Sequence, residues 1–303
     1  MDIKLIDTFL FSEPHEEDLL YLKMELEQNL VCKWVIQENS YTLQGDKKHL
    51  YAKDILSKPR FEKFRSRIAV VSIDCNFAQG NSENNNFVRE NAQRLGFCNL
   101  TTEQLVQNTG IDNNSKVFFM ISDVDEMIDF SNQDRLDRFV EIANKQTRTF
   151  WIQRQRYWYD YDNMCYLDDL HIPIVPATEM NNARVPHQII MNARHYKDRD
   201  RCFGGLENPL AFEYSYVFKS IKDLWRKKCT YAHTNFTMES LKEALKLNAW
   251  PRPKERNEQR SIHDFFEKVE LTESNSPKYV RDNLETLKTN IIDSSYEKNR
   301  KDC

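Results

Sequence analysis

Val117-Phe118-Phe119-Met120-Ile121-Ser122-Asp123-Val124-Asp125-Glu126 holds the strongest structural signal in the chain. Its five leading apolar residues predict a strand buried on both faces. Two carboxylates one residue apart then stand where the strand leaves its sheet. In open α/β sheets that carboxyl edge is where ligands bind. Hard oxygen donors there suit Mg²⁺ or Mn²⁺, ions that usually accompany a diphosphate. The plainer reading is a turn in which the aspartates cap the next helix.

The residues before this stretch alternate between strand and helix patterns. Ile3 to Phe11 reads as a first strand and its exit. A helix from about Glu16 to Asn29 follows, with Leu19, Leu22, Leu26 and Leu30 at helical spacing. Cys32 to Gln37 and Ile68 to Ile73 read as strands, Ser57 to Arg67 as a short basic helix and Phe87 to Leu95 as a helix. This order predicts an α/β fold, with a central, mostly parallel sheet flanked by helices.

Beyond residue 130 the expectation is a charged helix over 131–145, an aromatic stretch over 149–162 and a loop-rich region over 176–210. Helices are expected over Leu224 to Lys228, Met238 to Leu247 and about Pro277 to Ile292, with a frayed tail. The chain is expected to form one main domain, 1–250, in two halves, 1–130 and 131–250. A helical extension, 251–303, packs on it.

With 303 residues the chain is long enough to bury a full core. The net charge of −4 gives no nucleic-acid footprint. There are six glycines, and no GxGxxG or Walker sequence, so bound phosphate would need a metal and side chains. The seven cysteines are scattered without a CxxC pair, which favours reduced thiols over a zinc cluster. Met1-Asp2-Ile3-Lys4-Leu5 is neither signal peptide nor anchor, and no run of about 18 apolar residues occurs, so a cytoplasmic chain is expected.

Four further groups of residues carry chemistry. Glu38 ends a strand and could accept from a ribose or base, with Lys48 as a phosphate contact; an ordinary turn is the alternative. Arg89 with Gln93 and Glu90 with Arg94 are four apart on a helix, either surface pairs or a diphosphate contact. The rings of Phe150, Trp151, Tyr157, Trp158, Tyr159 and Tyr161 form either a sugar platform or a strand with buried rings. Asp160, Asp162, Asp168 and Asp169 follow as acceptor-binding carboxylates or a base. His233, near Phe212-Glu213-Tyr214-Ser215-Tyr216 in the chain, is a structural histidine or a third metal ligand.

Taken in order, these pieces resemble glycosyltransferase family 17. The likeness runs from Ile6-Asp7-Thr8-Phe9-Leu10-Phe11 through Glu38–Thr42, Gly45, Lys48 and Leu50-Tyr51 to Arg89-Glu90, Gln93-Arg94 and Gly96. It continues through Ser122–Glu126, Ser215-Tyr216, Lys228, Ala232-His233-Thr234 and Ser276–Val280. Two positions depart from the family pattern: Glu213 stands where the family has His, and Asn235 where it has Glu. Both fall on the expected acceptor side.

The resemblance implies a GT-A-type, Rossmann-like fold and a metal-dependent transferase that inverts the anomeric carbon. The donor would be a nucleotide-diphospho-sugar, UDP favoured and of N-acetylglucosamine type, and the acceptor a glycan hydroxyl. Asp7, Glu38, Lys48, Arg89, Gln93 and Asp123 would bind the donor. Asp123, Asp125 and His233 would hold Mn²⁺ or Mg²⁺. Glu213 would be the base, with Asp168 and Asp169 as alternatives. A carbohydrate-binding protein without activity, or a haloacid-dehalogenase-type phosphatase with Asp123 as nucleophile, are the competing readings.

Overall fold

The computed structural model describes residues 2–80, 82–165, 171–181, 186–195, 198–205, 207–230, 237–249, 266–289 and 291. Asp168, Asp169, His233 and Asn235 lie outside these residues.

Strands β1 (Asp2–Leu10), β2 (Val31–Asn39), β3 (Ile68–Ile73) and β4 (Ser115–Asp123) form a parallel unit in the order β3-β2-β1-β4. β2 is buried along its whole length, as expected of a strand covered on both faces. The helix Glu17–Glu27 returns the chain from β1 to β2 and buries Leu19, Leu20, Leu22, Met24 and Leu26. Each such side chain contributes about 1.5–3 kcal/mol when fully buried. After β3 the chain crosses to the other side of β1, so the order of the strands reverses between β1 and β4. That switch point is where a doubly wound sheet opens a ligand crevice. Leu10 and Asp123 pair across it.

The second half corrects the expectation of a mostly parallel sheet. β5 (Glu126–Ile128), β6 (Phe150–Trp158), β7 (Asn163–Cys165), β8 (His171–Pro176), β9 (Cys202–Phe203), β10 (Ala211–Ser215) and β11 (Glu267–Lys268) extend it as a mixed sheet. β8 runs antiparallel to both β4 and β6 and joins the two halves. β10 lies parallel to β6 and antiparallel to β5. β6 is antiparallel to both β7 and β8, which flank it on either side.

The aromatic stretch resolves as β6 and its exit. Trp151, Tyr157, Trp158, Tyr159 and Tyr161 are all buried, so they pack the core and present no open platform. The region 176–210 is less loop-rich than its sequence suggests, with helices Ala177–Asn181 and Pro186–His195. The basic segment forms a 3₁₀ helix, Pro59–Arg67. The expected C-terminal helix is two short ones, Lys278–Asp282 and Leu284–Leu287, broken at Asn283. They dock through Val280, and Thr289 binds the Tyr159 carbonyl at 2.6 Å. No helix among the described residues is long and apolar enough to cross a membrane.

Candidate active site

Asp123 is the last residue of β4 and stands at the switch point. Both of its oxygens are held by guanidinium groups. Arg94, from the helix Glu83–Arg94, lies 2.7 Å away, and Arg194, from Pro186–His195, lies 2.9 Å away. From there an alternating chain of charges crosses the molecule. Glu90 pairs with Arg94 at 2.8 Å and Arg194 with Glu126 at 2.8 Å. Arg154 bridges Glu126 and Glu213, the latter at 2.6 Å, and Arg156 closes on Glu213 at 2.8 Å. No side chain in this chain of contacts is more than 16% exposed.

Sheet register explains the arrangement. Glu213 lies directly opposite Glu126 across the antiparallel β10–β5 pair. Two like charges there would repel. Arg154 and Arg156, two apart on β6 and so on one face, supply the compensating charge. Arg154 and Arg194 hold Glu126 well below the usual carboxylate range, and Arg154 and Arg156 likewise lower Glu213, both against the cost of burial.

Four guanidiniums thus face four carboxylates, Glu90, Asp123, Glu126 and Glu213. Asp125 is the fifth carboxylate and stays outside the pairing. No ion pair to Asp125 forms among the described residues. Burial, together with the negative charges of Glu213, Asp123 and Glu126, raises its pKa to about 7, opposed by Lys227. Lys227 is itself paired with Glu16. Glu13, in the segment leaving β1, is also pushed up to about 7, by burial and by Glu16 and Glu38 against Lys48 and Arg226. Two carboxylates of high proton affinity therefore sit on one carboxyl edge, one after β1 and one after β4.

Backbone strain marks the same edge. Tyr159 and Tyr216 end β6 and β10 at φ of 63° and 57°, in the left-handed region that bulky residues avoid. The Tyr159 amide donates to the Ser215 carbonyl at 3.1 Å. The Tyr216 ring stacks on Trp158 at 4.7 Å. Burial raises its hydroxyl to about 12, with Lys227 and Asp125 acting on it in opposite directions.

Other residues expected at the donor have structural duties here. Asp7 is fully buried in the middle of β1, where it accepts from Ser122 Oγ at 2.7 Å and pairs with Lys23 at 2.8 Å. Glu38 is 1% exposed. Its oxygens accept from the Tyr51 and Ala52 amides at 2.7 and 2.8 Å and from Lys48 at 3.0 Å, so it caps the helix Ala52–Leu56. Gln93 is buried and donates to the Gln37 carbonyl at 3.1 Å. Asp160 and Asp162 tether the C-terminal segment through the Thr289 amide and Lys268.

Arg89 is likewise a loop clamp. It donates to Asn76 at 2.7 Å and Asn86 at 3.2 Å, and to the carbonyls of Leu43, Ala78 and Gly80. Gly45 is what allows this. Its φ is +96°, and a Cβ there would stand 2.6 Å from Arg89 Nη2. Gly45→Ala is therefore expected to destabilise the protein by about 1–3 kcal/mol, measured by chemical denaturation. A loss below about 0.5 kcal/mol would show that the guanidinium is not locked.

The sequence model of glycosyltransferase family 17 matches residues 1–248, a span that includes the whole edge just described. The chain belongs to glycosyltransferase family 17. No curated protein matches it in sequence. Within this transferase, Arg154, Arg156 and Arg194 escape a reading of the sequence as charge partners, because their acids come from other elements. Lys23 and Lys227 leave a signal. Lys23 falls in the apolar stripe of its helix, between Leu19 and Leu26, where a lysine must find a buried anion.

The donor set can be tested for a divalent cation. Among the described residues no group of three His, Cys, Asp or Glu side chains forms a metal cage. Mg²⁺ or Mn²⁺ on a diphosphate takes one or two carboxylates, with phosphate oxygens and water completing the shell. Asp125 fits that need as a hard oxygen donor with no ion pair among the described residues. Asp123 adjoins it, although its charge is matched by two arginines.

Proposed function

We propose that this transferase moves a sugar from a nucleotide-diphosphate donor, UDP favoured and the sugar of N-acetylglucosamine type, to a glycan hydroxyl, with inversion on a GT-A-type fold. One observation supports this most: Asp125, a buried carboxylate with no ion pair among the described residues, follows the strand end at the sheet switch point beside a balanced chain of arginines and acids. Asp125, with Asp123 adjoining, would hold Mn²⁺ or Mg²⁺. When bound, the ion neutralises charge on the departing diphosphate.

Inversion needs in-line attack by the acceptor hydroxyl and a base for its proton. A base works best with a pKa near the working pH. Glu213 is held low by two guanidiniums, which makes it a poor proton acceptor. Glu13, in the segment that leaves β1 at the same carboxyl edge, has an affinity in that range, and we propose it as the base to test first. Lys227, fixed by Glu16, keeps positive charge near Asp125. Glu213 orients Arg154 and Arg156.

Glu13→Gln is expected to lower kcat by about 10²–10⁴-fold with little change in KM. The wild-type rate should rise with pH through about 7, where Glu13 and Asp125 both lose their protons, and the variant should keep only the limb that Asp125 sets. Glu213→Gln is expected instead to lose about 1–3 kcal/mol of stability by loosening a buried ion pair. Lost turnover at wild-type stability in Glu213→Gln would return the base to Glu213.

Calorimetric titration with UDP, GDP, CDP and dTDP, each with and without Mn²⁺, tests the donor reading. Metal-dependent binding of one nucleotide is expected, UDP first. Binding of none in the presence of metal would overturn it.

A further inference from the structure

β3 is the outermost strand of the parallel unit, and among the described residues only β2 pairs with it. The Ile73 carbonyl accepts from the Ser40 amide, just past β2, at 2.9 Å. Backbone groups point alternately to the two sides of a strand. Ala69, Val71 and Ile73 therefore face β2, and Ile68, Val70 and Ser72 turn their groups outward. The Ile68 amide donates to the Arg65 carbonyl. The amides and carbonyls of Val70 and Ser72 have no partner among the described residues.

An open edge of this kind pairs readily with another strand, and natural sheets blunt it with charge, proline or brevity. The opposite end of this sheet is blunted: β11 is two residues long, and both are charged. β3, Ile68-Ala69-Val70-Val71-Ser72-Ile73, has six residues and no charge, proline or glycine.

A groove of about 370 Å³ lies beside the open edge, walled by Lys53, Leu56, Ser57, Arg65, Ile68 and Val70. Ile68 and Val70 are two apart on β3, so their side chains share one face. Both are half-buried, Leu56 is buried, and Lys53, Ser57 and Arg65 are exposed. A strand added to β3 would direct every second side chain to that same face. Lys53 has no ion pair among the described residues. Arg65 donates to the carbonyls of Leu56, Ser57 and Lys58 and meets no carboxylate there. The groove is thus an apolar slot with a cation on either wall and an unpaired backbone along its rim.

We propose that β3 docks an extended segment of a partner protein as an added strand, one with apolar residues alternating along one side and carboxylates at its ends. Main-chain bonds to Val70 and Ser72 supply affinity, and the groove selects the side chains. A second copy of this chain does not match, because β3 carries no carboxylate and the copy would bring its own Lys53 and Arg65 to the groove. β3 stands three strand spacings of about 4.8 Å from β4, so the surface is separate from Asp125 and does not rest on the transferase reading.

The probe is the capped peptide Asp-Thr-Val-Thr-Val-Thr-Asp, which places its aspartates and valines on one side. Fluorescence anisotropy should detect its binding to the whole chain, and amide exchange followed by NMR should slow at Val70 and Ser72. The same peptide with lysine at both ends should bind about tenfold more weakly or worse. Lys53→Glu combined with Arg65→Gln should reverse that preference. Methylation of the peptide's amide nitrogens should abolish binding. Val70→Pro removes an outward amide and leaves the pairing with β2 intact, so it should weaken binding too.

No binding of the acidic peptide, equal binding of the two peptides, or binding without slowed exchange at Val70 and Ser72 would overturn the proposal. So would a dimer, seen by sedimentation, that Val70→Pro dissolves, since the edge would then belong to a second copy. If Val70→Pro or the double variant does not fold, Lys53→Glu alone, on an exposed side chain, decides by the same comparison of peptides.

Discussion

Lys23→Met is expected to lower stability by about 3–5 kcal/mol, because it removes one partner of a buried ion cluster. Lys23 is fully buried. It contacts Asp7 at 2.8 Å, Glu27 and Ser122 Oγ at 3.0 Å, and the Glu126 carbonyl at 2.5 Å. The Trp34 indole also donates to Glu27 at 3.0 Å. One ammonium thus serves two carboxylates and two groups that flank Asp123 and Asp125, so the loss should loosen the acidic edge from beneath.

The sign of the pH dependence follows from the carboxylates. Burial raises both Asp7 and Glu27, and the Asp7 charge raises Glu27 further. Without Lys23 both rise more. A carboxyl group whose folded-state pKa is raised gives stability that is complete below its unfolded pKa and lost as pH rises through the folded value. The deficit of Lys23→Met should therefore be smallest near pH 4 and grow towards pH 8. Urea denaturation across that range measures it. A deficit independent of pH would show that lost packing, and not unpaired charge, is responsible. Adding Asp7→Asn and Glu27→Gln should recover most of the loss.

Asp125→Asn is expected to reduce transfer by about 10²–10⁴-fold, the equivalent of several kcal/mol of charge stabilisation at the leaving group. It should also make the protein more stable at pH 8. The Asp125 pKa, raised to about 7, means that its charge is unfavourable above that pH and that its contribution is lost as pH rises from about 4 to 7. Asparagine removes that burden, by about 1 kcal/mol after allowance for solvent screening.

Asp123→Asn should do the opposite and destabilise by about 2–4 kcal/mol, since it leaves Arg94 and Arg194 short of their anion. Thermal unfolding of the two variants at pH 8 and pH 5 separates these outcomes. If both aspartates destabilise equally, Asp125 is a structural partner like its neighbour and the cation assignment fails. Mn²⁺ should raise the melting temperature of the wild type and leave Asp125→Asn unmoved.

The parallel half of the sheet, the placing of Asp123 at a strand end and the helix over Met238–Leu247 are legible along the chain. Those features depend on local order, on unbroken apolar runs and on helical spacing, which act over a few residues. The family resemblance was equally legible, because its motifs are short and keep their order along the chain.

Which charges are occupied depends on how distant elements come together. Asp7 and Glu38 look available in the sequence, yet one is bound to a lysine of the next helix and the other caps a helix beyond a long turn. Arg154, Arg156 and Arg194 take their partners from β5, β10 and the end of β4. Ser122 reaches Asp7 across 115 residues. Sequence spacing cannot report such pairs, because each depends on the register of strands that are distant in the chain. That register left Asp125 outside the pairing, and so separated two aspartates that the sequence presents as equals.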